Sequence, residues 1–166
     1  MSAVNASLHL SGSGALGLRY EISAEPGQVR WPVAMSAVFQ DRLWRHTCFE
    51  LFVARTDRAY REFNFSPSLA WAAYDFTDYR AGMQPCQFDE KPLCEVHGAV
   101  TTVRLPAPLV PFEPGAPLGI AAVIEERDGR LSYWALRHAR PKPDFHDRAG
   151  FTANWPGTNK KWELRS

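Results

Sequence analysis

Proline and glycine punctuate this chain from end to end, and that limits what it can fold into. Thirteen prolines and eleven glycines are spread along 166 residues. A long helix has little uninterrupted room, because proline removes a backbone donor and clashes with the preceding turn. Between the breaks lie short stretches rich in aromatic and aliphatic residues, at 17–23, 47–55, 60–65, 69–76, 99–105, 118–126 and 131–137. Several alternate with period two, the pattern of half-buried strands. Asp128-Gly129 suits the positive φ angles of a hairpin turn between two such stretches. Ser66-Pro67-Ser68 joins another pair, since proline presets a turn and cannot continue a central strand. The expected fold is all-β: an antiparallel two-sheet β-sandwich, jelly-roll or immunoglobulin-like, with very little helix. A closed barrel of lipocalin type is the alternative, and it asks for longer, more uniform strands.

The length is that of one domain, so residues 1–166 are read as a single unit. A hydrophobic fraction of 45% argues against disorder, and a formal net charge of +1 lacks the basic excess of a nucleic-acid footprint. No apolar run is long enough to cross a bilayer as a helix. The stretch Met1 to Gly14 has neither a basic leader nor a continuous apolar segment, which predicts a cytoplasmic protein. Cys48, Cys86 and Cys94 cannot all pair within one chain, and without CxxC spacing they read as reduced thiols. A Cys86–Cys94 bridge is the alternative in an oxidising compartment.

Strand periodicity gives candidate site residues. In 47–55 it sets Phe49, Leu51 and Val53 against Cys48, Glu50 and Phe52; in 60–65 it sets Phe63 and Phe65 against Tyr60, Glu62 and Asn64. In 69–76 it separates Ala70, Ala72, Tyr74 and Phe76 from Leu69, Trp71, Ala73 and Asp75. With the apolar faces inward, Glu50, Glu62, Asn64, Trp71 and Asp75 gather on one surface. A slip by one residue exchanges Trp71 for Tyr74. Two carboxylates, an amide and an indole are the parts of a sugar platform: the ring stacks on the indole and the hydroxyls bond to the polar groups. The plainer reading places Trp71 in the core and leaves Glu50 and Glu62 solvated or paired with Arg61 or Arg42.

Other chemistries have weaker support. Glu50 and Glu62 have the residue types of a glycosidase acid and base, but nothing in the sequence sets their separation. GxSxG, HExxH and Walker A motifs are absent. Cys48 and His46 lie on one strand face without a nucleophile elbow. The five histidines form no close metal-ligand cluster. His138 and His146 bracket a cationic, proline-stiffened loop that can reach over a sheet edge towards a ligand.

Four segments occur in order: 43–52 (LWRHTCFELF), 62–74 (EFNFSPSLAWAAY), 132–136 (SYWAL) and 142–146 (KPDFH). Together, over Trp31 to Trp155, they resemble the DOMON-like group of bacterial domains, relatives of family 9 carbohydrate-binding modules. The resemblance implies an antiparallel sandwich that binds sugars or haem without catalysis. It makes Trp71 and Trp134 the candidate stacking rings, with Glu62, Asn64 and Arg80 as polar partners. Arg80 suits an anionic substituent or a surface ion pair with Asp78 or Glu90. Haem-binding relatives use a methionine with a histidine or lysine as axial ligands, which here points to Met83 and His138. The reading is a non-catalytic domain for a small, sugar-like ligand, with no cofactor, nucleic acid or membrane as partner. A haem module and a structural or protein-interaction domain are the alternatives.

Overall fold

The structure, a computed structural model, describes residues 3–155 and 160–166. Met1 and Ser2, counted in the leader reading above, lie outside the described residues. The chain forms two antiparallel sheets, as a β-sandwich requires. Strands β1 (Ala3–Leu10), β2 (Leu16–Ser23), β7 (Leu93–His97), β8 (Val100–Leu105) and β12 (Lys160–Leu164) make a sheet ordered β12-β1-β2-β8-β7. The other sheet is ordered β10-β9-β3-β4-β5-β6 and comprises β3 (Cys48–Ala54), β4 (Tyr60–Phe65), β5 (Trp71–Phe76), β6 (Gln84–Pro85), β9 (Pro117–Glu125) and β10 (Leu131–Ala135). The two-residue β11 (Ala153–Asn154) also pairs with β9. Among the described residues, helix is limited to three 3-10 turns, at Leu43–Arg45, Ala107–Leu109 and Arg148–Gly150.

Both expected hairpins form. Between β9 and β10, Gly129 takes φ 87°, and the Asp128 carboxylate accepts the Arg130 amide at 3.0 Å. Between β4 and β5, the Ser66 hydroxyl accepts the Ser68 amide at 3.1 Å, and the positive φ falls on Leu69, at 75°. The strands without a periodic signal in the sequence analysis are mostly those at the edges. In β7 and β12, charged and polar residues replace the apolar alternation, as suits edges that must not pair with another chain.

The core between the sheets takes Phe49, Leu51, Phe63 and Phe65 from the larger sheet and Leu8, Leu18, Tyr20 and Val103 from the smaller. Tyr20 stacks on Phe49 with ring centroids 4.6 Å apart and donates its hydroxyl proton to the Glu50 carbonyl at 3.0 Å. This satisfies a buried polar group across the sandwich.

The larger sheet is buried on both faces. Every residue of β3 and β4 is buried, and the outer face has its own apolar cluster containing Phe52, Tyr60, Tyr74 and Phe76. Two segments cover that face: residues 41–46, which bring Leu43 and Trp44, and residues 136–151, which bring Phe145 and Phe151. Gly119 permits the second to come close, because a Cβ there would lie 2.9 Å from the Phe151 ring. The expected open platform is therefore corrected to a roofed face.

Register also corrects the expected position of Trp71. The pairs Phe65–Trp71 and Glu62–Tyr74 send Trp71 inward with Phe65 and leave Tyr74 on the Glu62 face. Trp71 is 5% exposed and Trp134 is 8%, both within the inter-sheet core. The alternation itself holds, but both faces of β5 are buried, Trp71 and Ala73 in the inter-sheet core and Ala72, Tyr74 and Phe76 beneath the roof, so apolar character alone does not tell the two faces apart. Trp71→Ala is accordingly expected to cost roughly 3–5 kcal/mol of stability, read as a lower urea midpoint; an unchanged midpoint would place the ring at the surface.

Candidate functional site

The roof over the larger sheet leaves a cavity of about 330 Å³. Its floor is Glu50 on β3 and Glu62 on β4, which lie on the same face of neighbouring strands. Trp44, Phe76, Tyr133 and Phe145 form aromatic walls, while Arg80, Met83 and His146 complete the lining with Val123 and Pro143. Ala121, opposite Glu50 on β9, and Ala72, opposite Asn64 on β5, keep the sheet low around the acids.

Glu62 is tightly held. Its Oε1 accepts from Asn64 Nδ2 at 2.7 Å. His146 stands on the other side, with Nε2 3.7 Å from Glu62 Oε2. The Arg80 amide donates to the Tyr60 hydroxyl at 3.2 Å, and the same hydroxyl lies 2.7 Å from His146 Nδ1, a hydrogen bond in which Tyr60 is the donor when the ring is the Nε2–H tautomer. In that tautomer the ring proton sits on Nε2 and faces Glu62. At 3.7 Å this contact is too long for a hydrogen bond, so Oε2 remains open to a molecule in the cavity.

Glu50 has no such support. Its residue is 3% exposed, and its carboxyl makes no hydrogen bond to another described residue, yet it lines the cavity. Burial, reinforced by the neighbouring Glu62, pushes its pKa well above the carboxylate range, against the pull of Arg80. Burial likewise pushes Glu62 up to about 7, opposed by the Asn64 hydrogen bond and by Arg80. Burial, with Arg80 adding to it, brings His146 down to about 4, so the ring is neutral near neutrality and its contact with Glu62 is not an ion pair.

The expected site residues divide clearly. Glu50, Glu62 and Arg80 line the cavity. Asn64 lies behind it, with its amide spent on Glu62 and its carbonyl 3.6 Å from the Cys48 thiol. Trp71 and Trp134 point into the core and cannot stack on a ligand at this face. Arg80 bonds Asp144 at 2.8 Å rather than Asp78, which pairs with Arg58, or Glu90. Asp144 also accepts from the His146 amide at 3.2 Å and from the Tyr79 hydroxyl.

His138 lies behind Phe145, 6.2 Å between ring centroids, and donates from Nε2 to the Arg165 carbonyl at 2.8 Å. It does not line the cavity, whereas Met83 does. The Met83–His138 pair thus does not converge there and does not fit haem. Cys48 is fully buried with its pKa raised chiefly by that burial, and His46 bonds Glu125 at 2.7 Å, so these two form no dyad. All three cysteines are free. Among the described residues, no group of three or more potential metal ligands comes together.

The sequence reading did not assign cavity roles to Trp44, Phe76, Tyr133, Phe145 or His146. The alternation reading sets Phe76 on the inward face with Tyr74, and the register Tyr60–Phe76 and Glu62–Tyr74 puts it on the Glu62 face instead. Trp44, Phe145 and His146 sit on roof segments without periodicity, so no strand rule could place them; the 138–146 loop was legible only as one able to reach a ligand.

The comparisons bear on the fold. No family model matches the sequence, and no curated protein matches it. Among solved structures, the chain is similar to the crystal structure of a "putative carbohydrate-binding protein" from Bacteroides uniformis, with a TM-score of 0.62 and 15% identity, covering 89% of this chain and 75% of that one. At that identity the likeness establishes a shared fold.

The site's pH signature follows from opposed shifts. Glu62 keeps its proton in the native state after the unfolded chain has lost it, so its contribution to stability falls as pH rises from about 4.5 to about 7. Glu50 acts in the same sense. His146 stays neutral in the native state while the unfolded chain binds a proton, so stability rises as pH climbs from about 4 to 6.5. Glu62→Gln should therefore make the stability-against-pH curve climb more steeply than wild type between pH 4.5 and 6.5, and His146→Gln should make it fall. Urea midpoints across this range test the pair; parallel curves for all three proteins would mean that neither group is perturbed.

Proposed function

We propose that this chain is a non-catalytic binding domain for a small sugar or sugar-like molecule, held in the roofed cavity on the outer face of the larger sheet. The observation that carries the reading is Glu50, a residue only 3% exposed whose carboxyl makes no hydrogen bond to another described residue and faces a cavity with aromatic walls. A buried polar group normally has a hydrogen-bond partner. Facing the cavity, this carboxyl can take its partner from water or from a ligand hydroxyl. At about 330 Å³, the cavity is at the small end of the roughly 300–1,000 Å³ typical of small-molecule sites. Glu50, holding its proton, donates to a ligand oxygen, while Glu62 Oε2 and the His146 Nε2 proton give an acceptor and a donor beside it.

Stacking on this reading falls to Trp44, Tyr133 and Phe145, in place of Trp71 and Trp134. The shared fold with the Bacteroides uniformis protein supports a carbohydrate-type ligand, and the DOMON-like resemblance, with family 9 carbohydrate-binding modules as relatives, points the same way. We also infer that the chain works as a single domain in the cytoplasm, an inference supported by its three unpaired thiols. Among the described residues, no helix is long and apolar enough to cross a membrane.

A fluorescence and melting panel of monosaccharides tests the reading. A bound sugar is expected to change the emission of Trp44 and to raise the melting temperature by ligand linkage, worth about 2.7 kcal/mol at a hundredfold excess over Kd. Trp44→Phe should remove the emission change, and Glu50→Ala should weaken binding about tenfold, the equivalent of one lost hydrogen bond. If neither emission nor melting responds to any sugar in the panel, a structural or interaction role replaces this one.

A further inference from the structure

The charge inside the cavity is unbalanced. Glu50 and Glu62 face it from the floor. Arg80, the one cation in the lining among the described residues, directs Nη2 to Asp144 at 2.8 Å and lies over the Tyr79 ring at 5.8 Å, and its side chain is 52% exposed. Asp144 is itself engaged by Arg80, Tyr79 and the His146 amide, so it and Arg80 compensate each other beside the opening. His146 gives its Nδ1 to Tyr60. Tyr60 and Tyr74 spend their hydroxyl protons on His146 and Asp41. Two carboxyls therefore share a buried floor with no cation directed at them, beneath an indole and two further rings.

We propose that the cavity selects a ligand carrying a protonated amine, an amino sugar or an amino polyol of similar size, whose ammonium group seats between Glu50 and Glu62 against the faces of Trp44, Tyr133 and Phe145. The inference rests on the binding reading above and specifies its ligand. An ammonium has three donors, which match Glu62 Oε2 and the two unpartnered oxygens of Glu50. Aromatic faces attract a cation through their quadrupoles, most strongly when water is excluded, and an indole is the best of them. A neutral sugar leaves the acids holding their protons and gains only hydrogen bonds from them, whereas an anionic one is repelled as soon as either acid ionises.

Proton balance follows. Without a ligand, the buried acids avoid charge by holding protons; an arriving ammonium lets them ionise, and the released protons go to the buffer. Between pH 5.5 and 7, the groups facing the ligand are Glu50 and Glu62 from the strands, Arg80 from the turn after β5, and Asp144 and His146 from the roof. Of these, Arg80 and Asp144 stay charged and His146 stays neutral, since burial and Arg80 bring it down to about 4. The change in affinity with pH then belongs to the two glutamates, and binding tightens as pH rises.

The test is titration calorimetry at pH 6.5 with glucosamine, galactosamine and mannosamine, each against its parent hexose and its N-acetyl derivative, with glucuronate as the anion. Two buffers of different ionisation enthalpy count the protons. At least one amino sugar is expected to bind tenfold or more tightly than its parent and its N-acetyl form, with net proton release and with affinity rising from pH 5.5 to 7. Glu50→Gln and, separately, Glu62→Gln should each lower that affinity at least tenfold and reduce the proton release. Both are near-isosteric, thermal melting confirms folding, and the wild-type pH series decides the matter if either variant is unstable. Parent or N-acetyl sugars binding as well as the amines, or glucuronate binding best, would overturn the ammonium proposal and leave the sugar reading standing. No heat from any compound would overturn both.

Discussion

Burial of the larger sheet on both faces governs everything else about this molecule. Most sandwich sheets turn one face to the core and the other to water, and polar side chains on the wet face need no partner. Here Leu43, Trp44, Phe145 and Phe151 close over the outer face, so the polar residues on β3 and β4 must be satisfied inside the protein or by something that enters. Asn64 and Glu62 satisfy each other. Glu50 is left to the cavity. A carboxyl in that position costs stability when charged, and its burial accordingly pushes its pKa well above the carboxylate range.

The roof is held by a chain of specific contacts as well as by apolar packing. Asp144 gathers Arg80, Tyr79 and the His146 amide, and Tyr60 links the sheet to both the Arg80 amide and the His146 ring. His146 therefore reaches Glu62 with a fixed ring position, although it comes from a loop more than eighty residues away in sequence. The same contacts fix the two ionisable groups in opposite senses, acid up and imidazole down, through one cause, the loss of water. Polar groups held in place in this way need little reorganisation to bind a molecule of matching shape, which is the physical basis of the proposed recognition.

Local patterns in the sequence determined the strands and their two faces. Punctuation by proline and glycine excluded long helices; period-two alternation separated Glu50 from Phe49 and Leu51, Glu62 from Phe63, and Trp71 from Tyr74 and Phe76, without aligning β5 to its neighbours; and Asp128-Gly129 and Ser66-Pro67-Ser68 made the hairpins. These features depend on residues within a few positions of one another, so they are legible without a structure. Only the tertiary structure decided which face of β5 met the core, because that depends on the register Phe65–Trp71 and on the packing gained by burying an indole. It alone also decided that the polar face would be roofed: residues 41–46 and 136–151 have no periodicity, and their positions follow from long-range contacts such as Phe151 over Gly119 and Tyr60 with His146.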